Sequence, residues 1–171
     1  MRLEVNNRYF PRISPLIQKG VCMQVVLFLC TGNYYRSRFA EEMFNFLAPV
    51  KCPGWTAVSR GIAVDLGISN LGPIAASTAQ ALQKRGIIFN PALARMPLQL
   101  EVTDLESADH IVALKEAEHF PLMQERFPSW LGTSDPFRIE YWHIHDIDWM
   151  APEEGLPLIE QQLQVLMQRL R

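Results

Sequence analysis

The chain has 171 residues, 49% hydrophobic and 20% charged, the make-up of one globular domain with a filled core rather than a disordered chain. A formal net charge of -2 offers no general affinity for nucleic acid or for a membrane surface, so any anion site has to be built locally. Three cysteines without paired spacing fit a reducing compartment better than a disulfide framework, and a cytoplasmic location is expected.

Arg2, Glu4, Arg8, Arg12 and Lys19 interrupt any apolar stretch suited to a signal peptide, so residues 1–22 read as an extension outside the core. Residues 24–29 (QVVLFL) form a short continuous apolar run, the pattern of a strand buried on both faces. From Arg36 onward Phe39, Ala40, Met43, Phe44 and Leu47 recur at helical spacing while Glu41 and Glu42 face away. A second strand is expected over 55–59 (WTAVS), then a helix over 73–85 with Gly86 at its C′ position. At Met96 the pattern fits a short helix or coil equally. Residues 109–114 (DHIVAL) and 140–144 (EYWHI) supply a third and a fourth strand. A closing helix over 157–170 carries Ile159, Leu163, Leu166 and Leu170 on one stripe.

Strands separated by helices imply parallel βαβ units, and without repeats or linkers residues 23–171 read as a single α/β domain. Such sheets bind ligands beyond the carboxyl ends of their strands, which is where Cys30 falls. From Cys30 the chain continues Thr31, Gly32, Asn33, Tyr34, Tyr35, Arg36 and Ser37. A thiol and a guanidinium at this spacing often occur by chance, as an inert core cysteine and a surface arginine. Their place between a strand end and a helix start gives the pair weight, because amides curled there converge into an anion nest. Gly32 tolerates unusual backbone angles, and Asn33 is the non-glycine residue best suited to the left-handed region. The nest and the helix dipole favour the thiolate of Cys30, the form that attacks. Arg36 can hold two phosphate oxygens bidentately, and Ser37 can donate a hydrogen bond to the sulfur.

The run VLFLCTGNYYRSRFAEEMF closely resembles the phosphate-binding loop and following helix of low-molecular-weight protein tyrosine phosphatases, whose signature reads C-x-G-N-x-x-R-S. Ser59-Arg60-Gly61 is similar to that family's Ser-Ala-Gly turn, with Arg60 in place of the small residue. The segments 81–87 and 108–114 resemble the end of its second helix and its third strand. The resemblance implies a four-stranded parallel sheet with helices on both faces, a cysteinyl-phosphate intermediate, and an aspartate acid after strand four. It implies no metal and no cofactor. It further implies that Asn33 and Ser59 hold the loop through their side chains. Phosphate, sulfate or vanadate would sit in the loop, and the substrate would be a phosphorylated protein, notably phosphotyrosine, or a small aryl phosphate. Tyr34 and Tyr35 stand where the family often has a second cysteine. Tyr34 suits the entrance wall, and Tyr35 suits either the loop or the packing beneath it.

Three aspartates compete for the acid. Asp135-Pro136 matches the family's dipeptide, yet precedes the fourth strand, so it falls at the wrong end of a parallel sheet and reads as a turn. Asp146 follows that strand and is favoured, with Asp148 as a substitute and Trp149 as an aromatic wall. His143 and His145 lack ligand spacing and read as packing or surface residues rather than a metal site. Two other functions share the loop. An arsenate reductase would need resolving cysteines after strand three, and none lies between Asp104 and Arg126, which leaves only an external thiol. A non-enzymatic anion- or partner-binding module would lack the acid.

Overall fold

The computed structural model describes residues 17–18, 21–67, 69–88, 90–135 and 138–171. A short antiparallel pair, β1 (Ile17–Gln18) and β2 (Val21–Cys22), precedes the main sheet. β3 (Gln24–Cys30) is buried from Val25 to its end and lies between two parallel neighbours, β4 (Trp55–Gly61) and β5 (His110–Ala113). β6 (Ile139–Tyr141) pairs parallel to β5, giving the order β4-β3-β5-β6. Cys30 therefore sits at the carboxyl end of an interior strand, the position that the continuous apolar run implied.

Alternation along β3 divides the core into two layers. Val26 and Phe28 pack with Phe39 and Phe44 of α1 (Arg36–Lys51), Leu82 of α2 (Ala76–Lys84), and Ile159, Leu163 and Leu166 of α6 (Pro152–Arg169). Leu27 and Leu29 face the opposite layer. There they meet Leu105 of α3 (Val102–Ser107), Met123 of α4 (Glu116–Arg126) and Trp130 and Leu131 of α5 (Pro128–Thr133). Burying each such side chain is worth roughly 1.5–3 kcal/mol, so both layers hold β3 in register. Among the described residues no helix is long and apolar enough to cross a membrane.

The departures from expectation have local causes. β6 ends at Tyr141 instead of running to residue 144. Even so, Trp142 and Ile144 still donate their amides to Ala113 and Leu114, so the segment follows β5 outside regular pairing. α6 starts at Pro152, which needs no N–H in a first turn, with Glu153 and Glu154 suiting the positive helix end. α2 starts at Ala76, and Gly86 follows its C-cap at φ 76. Residues near Met96 are coil. α4 gave no sequence signal because it is polar and carries Pro121, and only His119 and Met123 are fully buried.

Glu140 fastens the edge strand. Its carboxylate lies 2.9 Å from His110 Nε2 and accepts from Trp142 Nε1 at 2.8 Å and from Arg169 Nη2 at 2.8 and 2.9 Å. Burial by itself pushes this carboxyl upward, but the hydrogen bonds from His110, Arg169 and Trp142 outweigh it and hold the value at about 2. A depressed carboxyl stabilises the fold at neutral pH, and that contribution is lost as pH falls from its ordinary 4.5 toward about 2. Glu140→Gln is expected to cost about 1–2 kcal/mol at pH 7. It should also flatten the loss of stability across that acid window, as read by urea denaturation at a series of pH values.

Candidate active site

Between β3 and α1 the chain turns through Thr31 to Tyr35, and Asn33 takes the left-handed conformation at φ 51. Asn33 is fully buried and spends its whole hydrogen-bonding capacity there. Its Nδ2 donates to Ser37 Oγ (3.0 Å) and Ser59 Oγ (2.8 Å), and its Oδ1 accepts from Leu98 N (3.0 Å) and Arg95 Nη1 (2.8 Å). Because Ser37 Oγ already accepts from Asn33, its own proton is free to point at Cys30 Sγ, 2.9 Å away. Ser59 donates to Glu41 at 2.6 Å, and Arg95 joins Glu41 and Ser59 at 2.7 and 3.0 Å, closing the network.

The floor of the loop is backbone. Ile62 N and Ala63 N donate to Cys30 O and Thr31 O, both at 2.9 Å. A Cβ on Gly61 would stand 2.8 Å from Thr31 O and 3.0 Å from Asn33 N, so the close approach requires glycine there. Gly32 serves differently from the expectation: its φ is not positive, and a Cβ would instead meet the Asn70 side chain at 2.9 Å. The amides of Gly32, Asn33, Tyr34, Tyr35, Arg36 and Ser37 donate to no protein acceptor among the described residues, leaving a run of unpaired backbone donors between Cys30 and the first turn of α1.

Arg36 opens α1 with its side chain only 1% exposed. Nη1 donates to Glu118 Oε2 (2.9 Å) and Ile144 O (3.0 Å), and Nη2 to Glu118 Oε1 (2.7 Å) and Asp146 Oδ2 (2.9 Å). Asp146 thus lies beside the loop. Asp148 is exposed, and the exposed Asp135 leads into the amino end of β6 and accepts from Arg138 N at 2.9 Å through its carbonyl. Pro136, its partner in the dipeptide, lies outside the described residues.

Sequence reasoning missed Glu118 and His119, since α4 itself was not anticipated, and missed Arg95 in a stretch of coil. Thr31 Oγ1 donates to Glu118 as well. Burial works against the Glu118 carboxylate, yet the N–H groups of His119 and Arg36 and the Arg36 charge hold it far below the carboxylate range. Burial pushes His119 below its ordinary value and keeps it neutral. Its Nδ1 accepts from Lys115 N at 3.0 Å, so the proton rests on Nε2, 3.3 Å from Glu118 Oε1, a contact too poorly aligned for a full hydrogen bond.

Of the two loop tyrosines, Tyr34 donates its hydroxyl to Leu71 O at 2.6 Å at the rim. Tyr35 packs into the core, where burial first, and then Asp146, raise its hydroxyl to about 12. Its side chain is thus turned into the core, unlike that of Tyr34. Trp149 is 84% exposed and forms no wall in this conformation. His143 and His145 are exposed, with His145 Nε2 3.1 Å from Lys115 Nζ.

Residues 25–171 match the family model described as low molecular weight phosphotyrosine protein phosphatase. The low molecular weight protein-tyrosine-phosphatase YfkJ of Bacillus subtilis is 36% identical over 90 residues, 52% of this chain and 54% of that protein; the match thus spans about half the length of the relative. The fold is similar to SP-PTP of Streptococcus pyogenes, with a TM-score of 0.67 and 22% identity over 87% of this chain and 94% of that one. It is likewise similar to Wzb of Vibrio vulnificus in complex with benzylphosphonate, with a TM-score of 0.67 and 19% identity over 86% and 99%. By fold, by the strand-to-helix position of Cys30 and by a match over most of its length, this chain belongs to the low molecular weight phosphotyrosine protein phosphatase family.

Proposed function

We propose that the protein hydrolyses phosphomonoesters, with protein phosphotyrosine or small aryl phosphates as substrates, through a phosphate ester of Cys30 sulfur. Residues 23–171 would form the catalytic unit, with residues 1–22 outside it. The observation that carries this is the convergence, at one sheet edge, of a thiol 2.9 Å from a hydroxyl and a buried arginine 2.9 Å from an aspartate.

In the first step the Cys30 thiolate attacks phosphorus, forming the S–P bond as the ester P–O bond breaks. Asp146 gives its proton to the departing oxygen. The backbone donors of residues 32–37 and the Arg36 guanidinium neutralise the charge on the three transferring oxygens. In the second step water attacks phosphorus, Asp146 takes a proton from it, and the S–P bond breaks to return thiolate and inorganic phosphate. Ser37 steadies the sulfur as its charge returns. Aromatic substrates are supported by the Tyr34 ring at the rim and by the benzylphosphonate bound to the Vibrio vulnificus neighbour. A thiol relay for arsenate finds no support in Cys52, which is fully buried behind α1.

Cys30→Ser should lower turnover of p-nitrophenyl phosphate by more than about a thousandfold while vanadate binding persists, because the nest is backbone. Arg36→Lys should fall by at least about a hundredfold, a point charge being no substitute for a bidentate fork. Retained turnover in Cys30→Ser removes the covalent scheme, and near-normal turnover in Arg36→Lys removes the phosphate role of Arg36. Asp146→Asn should slow alkyl phosphates by about a hundredfold or more and p-nitrophenyl phosphate by less, whose leaving group needs little protonation. Asp135→Asn should stay within about twofold of wild type, and the reverse pattern reassigns the acid. Arsenate with glutathione should show no reduction under conditions that turn over aryl phosphate.

A further inference from the structure

Glu118 is the strongly engaged acid beside the loop to which the proposed hydrolysis gives no task, and any role for it in turnover rests on that hydrolysis. Its two oxygens take Nη1 at 2.9 Å and Nη2 at 2.7 Å together, which occupies the end of the Arg36 fork. The outer Nη1 hydrogen goes to Ile144 O at 3.0 Å. One pair of parallel donors is left, Nε and the second Nη2 hydrogen. Nε is buried and makes no hydrogen bond among the described residues, while Nη2 is 2.9 Å from Asp146 Oδ2.

We propose that Glu118 is a positioning residue: by clamping the end of the guanidinium it fixes the planar fork so that the Nε–Nη2 edge is presented to the phosphoryl group. A phosphoryl oxygen then takes Asp146's place on Nη2, and another meets Nε. Asp146 is released by that exchange to face the leaving oxygen. Without Glu118 the one carboxylate left on Arg36 among the described residues is Asp146, and the acid would be drawn into the clamp. Glu118 is suited to the task because the Thr31 hydroxyl donates to it in front, while the His119 ring lies 3.3 Å behind it. His119 is fixed through Lys115 N at 3.0 Å, so the support runs back into the α4 backbone. Neither Glu118 nor His119 needs to touch substrate.

The test uses the full chain labelled with 15N-arginine, inorganic phosphate as the probe ligand and p-nitrophenyl phosphate as substrate. The Arg36 Nε–H resonance is assigned by its loss in Arg36→Lys. In wild type it should be distinct from exposed arginines and move on saturation with phosphate. In Glu118→Gln it should lose its distinct position, and kcat should fall by about 10- to 100-fold, the cost of a misplaced catalytic group. Glu118→Asp keeps the charge and should recover part of both, which a loss of packing alone would not; should Glu118→Gln fail to fold, this variant carries the comparison. An unchanged Nε–H resonance in Glu118→Gln, or a kcat within about twofold of wild type or raised, overturns the assignment. A wild-type protein whose Nε–H responds to phosphate but which turns over no aryl phosphate defeats the proposed reaction and leaves the Glu118 clamp standing, to be decided by the resonance alone.

Discussion

A fully buried guanidinium at the start of a helix is the constraint around which this molecule is arranged. Arg36 sits where the helix dipole repels a cation, and its removal from water is expensive unless compensated. Compensation comes from three groups on two stretches of chain: Glu118 at the first turn of α4, and the Ile144 carbonyl and the Asp146 carboxylate after β6. Each stretch must arrive at the carboxyl edge of the sheet for the charge to be tolerated. The short β6, its irregular continuation along β5 and the glutamate lock at its edge are what deliver the last two.

Asn33 does for the backbone what those groups do for the charge. The left-handed turn at φ 51 is uncommon outside glycine, and a side chain that satisfies two donors and two acceptors in a buried site holds it. The network makes the serine at 37 a directional donor toward sulfur instead of a freely rotating hydroxyl. It also places Arg95 and Glu41 in the supporting layer of the loop, although the sequence put Glu41 only on the outward face of α1 and gave no reading of Arg95.

The central strand, the first helix and the edge on which Cys30 falls were legible because continuous burial and helical periodicity are local properties of 24–47. The left-handed residue was legible for the same reason, since few side chains accept that conformation. Gly32 was misread because its φ is not positive and its tight neighbour is the tip of the Asn70 side chain, a residue in space that no local pattern encodes. Glu118 and His119 were invisible on a helix with so little apolar face that its period never rises above its charges. Tyr34 and Tyr35 look alike in sequence and diverge in space by the one-residue rotation at the loop's exit, one ring at the rim and the other in the core.

The dispersal of the loop's supports has a kinetic meaning. Cys30, Ser59, Arg95, Glu118 and Asp146 span most of the chain, so the nest closes only after contacts of long sequence separation have formed. The thiol is therefore shielded late in folding, and before that point it is an ordinary exposed cysteine. Anions that fill the nest act on the final, native arrangement and stabilise it by mass action without assisting the earlier collapse of the two apolar layers.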